Sequence, residues 1–278
     1  MRTSSNPAFR NLPTGRGGYA GFDDRVGGAA GGAAAYRQMS QPTGYDRSTA
    51  TDRPLTVDDV VTKTAITAGL ALVAGVLTVL SGQLWLALPA FLVGLVISLI
   101  VIFKQSSNPA LIITYSIAEG IALGGITGAL ETYGSGNGGQ LGGLAGIGFQ
   151  AVIGTFGVFF GMLVVYKTGA VKVTPRLTKM IIGAMFGVIG LMLINFVVSF
   201  FTTGGIGIRS GGPLAIIFSI VVIGIAAFTL LLDFDMADKA IRAGAPARFS
   251  WYIAFGMMTT LVWLYLEILR LLSYMRQN

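Results

Sequence analysis

Histidine and cysteine are both absent from this 278-residue chain, and the two absences exclude most of the chemistry a membrane enzyme could use. Without thiols there is no disulfide, thiolate metal site, iron–sulfur cluster or cysteine nucleophile. Without imidazole there is no Ser–His or Cys–His catalysis, no HExxH metal site and no histidine-ligated haem. Charge is scarce as well, at 11% of residues against about 25% in a typical soluble domain. What remains for proton or cation chemistry is 12 carboxylates and 19 Lys/Arg. The chain therefore reads as a non-enzyme with no resident cofactor.

What is abundant is apolar side chains, 53% of the total, arranged in uninterrupted blocks about 20 residues long. That is the length at which a helix crosses a hydrocarbon core. Spans are expected over about 63–82, 84–104, 109–131, 143–166, 180–201, 213–233 and 251–273. The fold class is an all-α membrane protein, a bundle of seven transmembrane helices over residues 55–278, with the lipid bilayer as its first partner. Residues 1–54 have no hydrophobic period and contain tracts such as Gly27-Gly28-Ala29-Ala30-Gly31-Gly32. Such a composition cannot bury enough apolar area to offset ordering entropy, so a disordered tail is expected. With no apolar stretch before Pro54, it does not read as a cleaved signal peptide. Leu55–Val61 reads as an interfacial turn with Thr56 as a cap before Asp58 and Asp59.

The formal charge of +7 lies almost entirely in the loops between spans, which makes it a topology signal rather than a nucleic-acid footprint. Arg47, Arg53, Lys63, Lys104, Lys167, Lys172, Arg176, Lys179, Lys239, Arg242 and Arg248 fall on one side; only Arg209, Arg270 and Arg276 fall on the other. Positive charge stays cytoplasmic, so the N-terminus is expected inside and the C-terminus outside.

Glycine recurs at helical spacing: Gly120, Gly124 and Gly128 on the third span, Gly157 and Gly161 on the fourth, Gly183 and Gly187 on the fifth. Such stripes let helix backbones approach closely in lipid, and tight bundle packing is the expected role, with a hinge as the alternative. Gly134–Gly139 formally matches GxGxxG but follows a membrane helix rather than a strand, so it reads as an external loop and not a dinucleotide site.

Charged side chains within a span cost at least about 3 kcal/mol, which makes intramembrane acids the functional candidates. Glu119 falls near the middle of the third span, with Tyr115 at i−4. Glu267 falls in the last span, where Arg270 at i+3 could simply pair with it near the outer surface. Asp233 and Asp235 end the sixth span and, two residues apart, point in nearly opposite directions. Asp235 has Lys239 at i+4 and Asp238 has Arg242, both readable as solvated pairs; Asp233 lies deepest and is the better inward-facing candidate. Glu131 reads as an interfacial charge, and Asn195 in the fifth span as a helix–helix hydrogen-bonding group.

Three segments carry a family resemblance. Ser116-Ile117-Ala118-Glu119-Gly120-Ile121-Ala122-Leu123 resembles the E-G-x-x-L segment of the Bax inhibitor (TMBIM) family. Leu231-Leu232-Asp233 resembles its L-Y-D, and Leu264-Tyr265-Leu266-Glu267-Ile268-Leu269 its final-helix L-Y-L-D-x-x-N-L. The likeness is closest to a bacterial branch and covers roughly residues 60–275. It implies seven helices with the last at the centre, a bacterial plasma-membrane location, and a pH-sensitive leak or transport of calcium or other cations. It also implies that a carboxylate on each of the last two helices, here Asp233 and Glu267, shares a proton and gates the pore, with Glu119 as the acid of the third helix. Two departures stand out: the final-helix acid is Glu rather than Asp, and the second span offers no buried Arg.

Two carboxylates at close range in low dielectric cannot both ionise, so a shared proton would hold two helices together until it is lost or a divalent cation replaces it. Against this stands the depth of the two acids: with the sixth span ending at Asp233, Glu267 would lie roughly 24 Å farther out at about 1.5 Å per residue. A regulatory or scaffolding protein that binds another membrane protein, such as a protease, is the rival reading; proton-coupled transport of a small solute is a third.

Overall fold

The computed structural model describes residues 53–134, 146–202 and 205–277. The tail expected over 1–54 and the glycine-rich loop after Gly134 lie, but for their last or first residues, outside the described residues. Seven helices long and apolar enough to cross a membrane follow one another: α1 (Val57–Ser81), α2 (Ala87–Lys104), α3 (Pro109–Gly134), α4 (Ile147–Thr168), α5 (Pro175–Ser199), α6 (Pro213–Arg242) and α7 (Phe249–Gln277).

Local chemistry sets the ends. Thr56 and Asp59 form a capping box, so α1 begins directly at Val57 and the interfacial turn expected there is the helix's own first turn. Gly82, in the left-handed region at φ 67°, closes α1, and one 3₁₀ turn (Leu84–Leu86) leads into α2. Pro109, Pro175 and Pro213 each open a helix, where a missing N–H costs nothing. The largest difference from the expected spans is α6, which continues nine residues past Asp233 to Arg242. Asp235–Lys239 (2.5 Å) and Asp238–Arg242 (2.9 Å) decorate this extra length as i,i+4 pairs. Asp233 consequently sits well inside its helix rather than at the end.

The last helix is central. It packs directly on α1, α3, α4 and α6, and over half of its spanning window (56%) is buried, against 11% for the peripheral α5. The helices α2 and α5 reach the bundle through α3 and α6 respectively. The main apolar cluster joins α4, α6 and α7 through Ile147, Ala151, Leu230, Phe234, Ile253 and Leu264. A smaller one joins Ala71, Val101, Ile112, Tyr115, Phe255 and Met258.

The glycine stripes divide into two kinds. On α3, a Cβ at Gly120 or Gly124 would overlap the backbone of Ala71 or Gly75, so α1 and α3 pack main chain to main chain as expected. On α4 and α5, Gly157, Gly161, Gly183 and Gly187 have no atom near the position a Cβ would take. Within this chain those two stripes are not packing surfaces, and the expectation that they are is corrected.

Candidate functional site

The third and seventh helices bring the intramembrane polar groups together. Glu119 is buried on α3, and its Oε1 fits beside Gly94 of α2, 3.1 Å from where a Cβ would stand. Glycine at 94 thus makes the notch that the carboxylate occupies. Tyr115, one turn earlier on α3, is buried, stands edge-on to Phe255, and its hydroxyl lies 3.2 Å from that of Thr259 on α7. Around these groups lies a cavity of about 430 Å³ between α2, α3 and α7, whose polar wall is Ser98, Tyr115, Glu119, Thr259 and Thr260.

Thr260 links this cavity to α6. Its hydroxyl donates to Asp233 Oδ2 at 2.7 Å, with Gly256 O as a second acceptor at 3.3 Å. Asp233 therefore faces α7, as its depth suggested, while Asp235 turns outward to Lys239. Glu119 shares its cavity wall with Thr259 and Thr260, and Asp233 is bonded to Thr260.

Glu267 is placed elsewhere. It lies seven residues beyond Thr260, about 10 Å along the helix axis. Its Oε1 accepts from Arg270 at 2.7 Å and meets Arg209 Nη2 at 3.5 Å, and its Oε2 is buried without a protein partner. The i+3 pairing readable from the sequence is thus present, and the proton-sharing contact with Asp233 is not: no Asp233–Glu267 hydrogen bond forms, because each carboxylate is already engaged at its own depth. Arg209 comes from the loop between α5 and α6, and the Tyr274 hydroxyl donates to its backbone oxygen at 3.3 Å. Burial and the neighbouring Arg270 hold the Arg209 guanidinium below its ordinary range, with Glu267 opposing both. Asn195 serves the same loop: its Oδ1 accepts from the Ile206 amide at 3.0 Å, a helix-to-loop bond rather than a helix–helix one.

Glu131 also differs from its expected role as an interfacial charge. It is buried and accepts from the Gly148 amide at 2.9 Å, so a carboxylate from α3 caps the uncapped N-terminus of α4. Thr260 and Gly94 were not singled out from the sequence, and Arg209 was read there only as a topology charge. Threonine in a membrane helix usually returns its hydroxyl to its own backbone, as Thr78 and Thr155 do here, so a partner on another helix has no signature in the sequence.

A family model described as Bax inhibitor 1 like matches residues 6–277. The chain belongs to the Bax inhibitor 1-like family. Membership covers nearly the whole chain, reaching far into the segment before Pro54 that the three sequence motifs left out. No curated protein and no solved structure matches it. The seven apolar helices make this family member a multi-pass membrane protein in contact with the lipid bilayer.

Proposed function

We propose that the chain is a pH-sensitive cation leak, with calcium as the transported ion, in which Glu119 and Asp233 are the protonatable groups of the path. The observation that carries this reading is Thr260, which bonds Asp233 on one side and lines the Glu119 cavity on the other. Ionised carboxylates attract a divalent cation and hydroxyls help replace its water; protonation removes that attraction. Among the described residues no three acidic groups converge, which suits an ion that passes rather than one that rests in a cage. Glu267, engaged by two arginines, serves in this reading to seat the outer loop. The basic loops favour a cytoplasmic N-terminus and a C-terminus outside, and the likeness to a bacterial branch of the family favours the bacterial plasma membrane. The absence of His and Cys favours a protein that is neither an enzyme nor a holder of a cofactor.

The test is calcium influx into dye-loaded liposomes carrying the purified chain, across a pH series. Influx above that of empty liposomes, rising with pH as carboxylates ionise, is expected. No influx at any pH contradicts the proposal.

One observation favours the scaffolding alternative. The open glycine faces of α4 and α5 are surfaces on which a helix of another membrane protein, such as a protease, could pack closely. Under that reading, Glu119→Gln and Asp233→Asn variants bind the partner as the native chain does.

A further inference from the structure

The residues just before α1 do not simply lead into the membrane. Ala247 N donates to Arg53 O at 2.9 Å and Leu55 N to Ala245 O at 2.7 Å, so Arg53–Leu55 runs antiparallel to the α6–α7 turn with Pro54 opposite Pro246. Both prolines occupy the non-hydrogen-bonded pair of this two-bond ladder, where neither needs an amide proton. Leu55 is 3% exposed and packs in the main apolar cluster with Ala237 and Ala240 of α6 and Ile253 of α7.

The strap is fastened to α1 by charge. Arg53 grips both oxygens of the buried Asp59 at 2.7 Å each, and the same carboxylate accepts from the Thr56 amide and hydroxyl. Lys63 adds a contact to Asp59 at 3.4 Å and lies 5.8 Å from the centre of the Trp251 ring, in the first turn of α7. Asp59 thus ties together the strap, the start of α1 and, through Lys63, the start of α7.

We propose that Arg53–Thr56 is a lock on the α6–α7 hairpin: while seated it holds the inner ends of the two helices against α1, and its release lets them separate at the Asp233–Thr260 contact. The hairpin motion stands on the strap geometry alone; its effect on ion passage rests on the function proposed above.

The absence of cysteine makes both parts testable with introduced thiols in the full chain. The first test places spin labels at Lys104→Cys and Ala243→Cys, both exposed, and measures their distance distribution with and without Arg53→Gln. Arg53→Gln spares the fold because Lys63 and Thr56 still engage Asp59. One narrow distance in the locked chain and an added, longer population in the variant are expected; identical distributions overturn the lock. The second uses Pro54→Cys/Pro246→Cys, whose Cα separation of about 4.5 Å in such a pair suits a disulfide. Oxidation is expected to lower calcium influx at least tenfold, with recovery on reduction; equal influx in both states overturns the coupling to the path. Distances that shift in a chain with no influx in either state support the lock and overturn the leak.

Discussion

The Thr260 hydroxyl donates to the Asp233 carboxylate at 2.7 Å, across the interface of α6 and the central helix α7. Seven residues farther along α7, Glu267 is bonded to Arg270 at the same distance. The two acids of the last helices are therefore engaged separately, and the threonine that bonds Asp233 also lines the cavity beside Glu119.

Thr260→Val keeps the shape of the side chain and removes the donor. A hydrogen bond given to a carboxylate favours its charged form. Calcium influx in the variant is expected to reach half its maximum at a different pH from that of the native chain. An unchanged midpoint in the liposome assay counts against Asp233 as the titrating group.

Glu267→Gln removes the anchor of the Arg209 loop. A hydrogen bond to a charged group is worth about 1.5–3 kcal/mol, so a lower thermal midpoint is expected. Glu267 has no part in the proposed ion path, so the pH profile of influx should keep its shape. A profile that flattens in Glu267→Gln would restore the shared-proton gate.

Equal glycine substitutions should have opposite outcomes. Gly124→Ala forces a methyl into the backbone of Gly75 and is expected to destabilise the fold by about 1–3 kcal/mol or more. Gly187→Ala meets open space and gains the helix preference of alanine, up to about 1 kcal/mol. Thermal unfolding of the two variants in detergent checks the contrast.

The number and type of elements were legible because block length and hydropathy alone decide them, and a bilayer admits few other solutions. Helix ends were less so. The end of α6 was misplaced since hydropathy falls at Asp233 while Asp235–Lys239 and Asp238–Arg242 carry the helix on through its polar stretch. The candidate acids were legible as charges in apolar surroundings, but their partners were not. Asp233 meets Thr260, 27 residues away in sequence, and Glu131 meets the Gly148 amide, 17 away. Such contacts depend on how helices rotate against one another, and the glycine stripes show the same limit. The spacing on α3 and on α5 is alike, yet one faces a neighbour's backbone and the other does not.

The most direct test of the account is calcium influx into liposomes as a function of pH for the double variant Glu119→Gln/Asp233→Asn beside the native chain. The account predicts that the native chain's influx rises with pH and that the variant's is low and flat, with both chains folded to the same helical content. A variant that retains the native rate and the native pH dependence contradicts it.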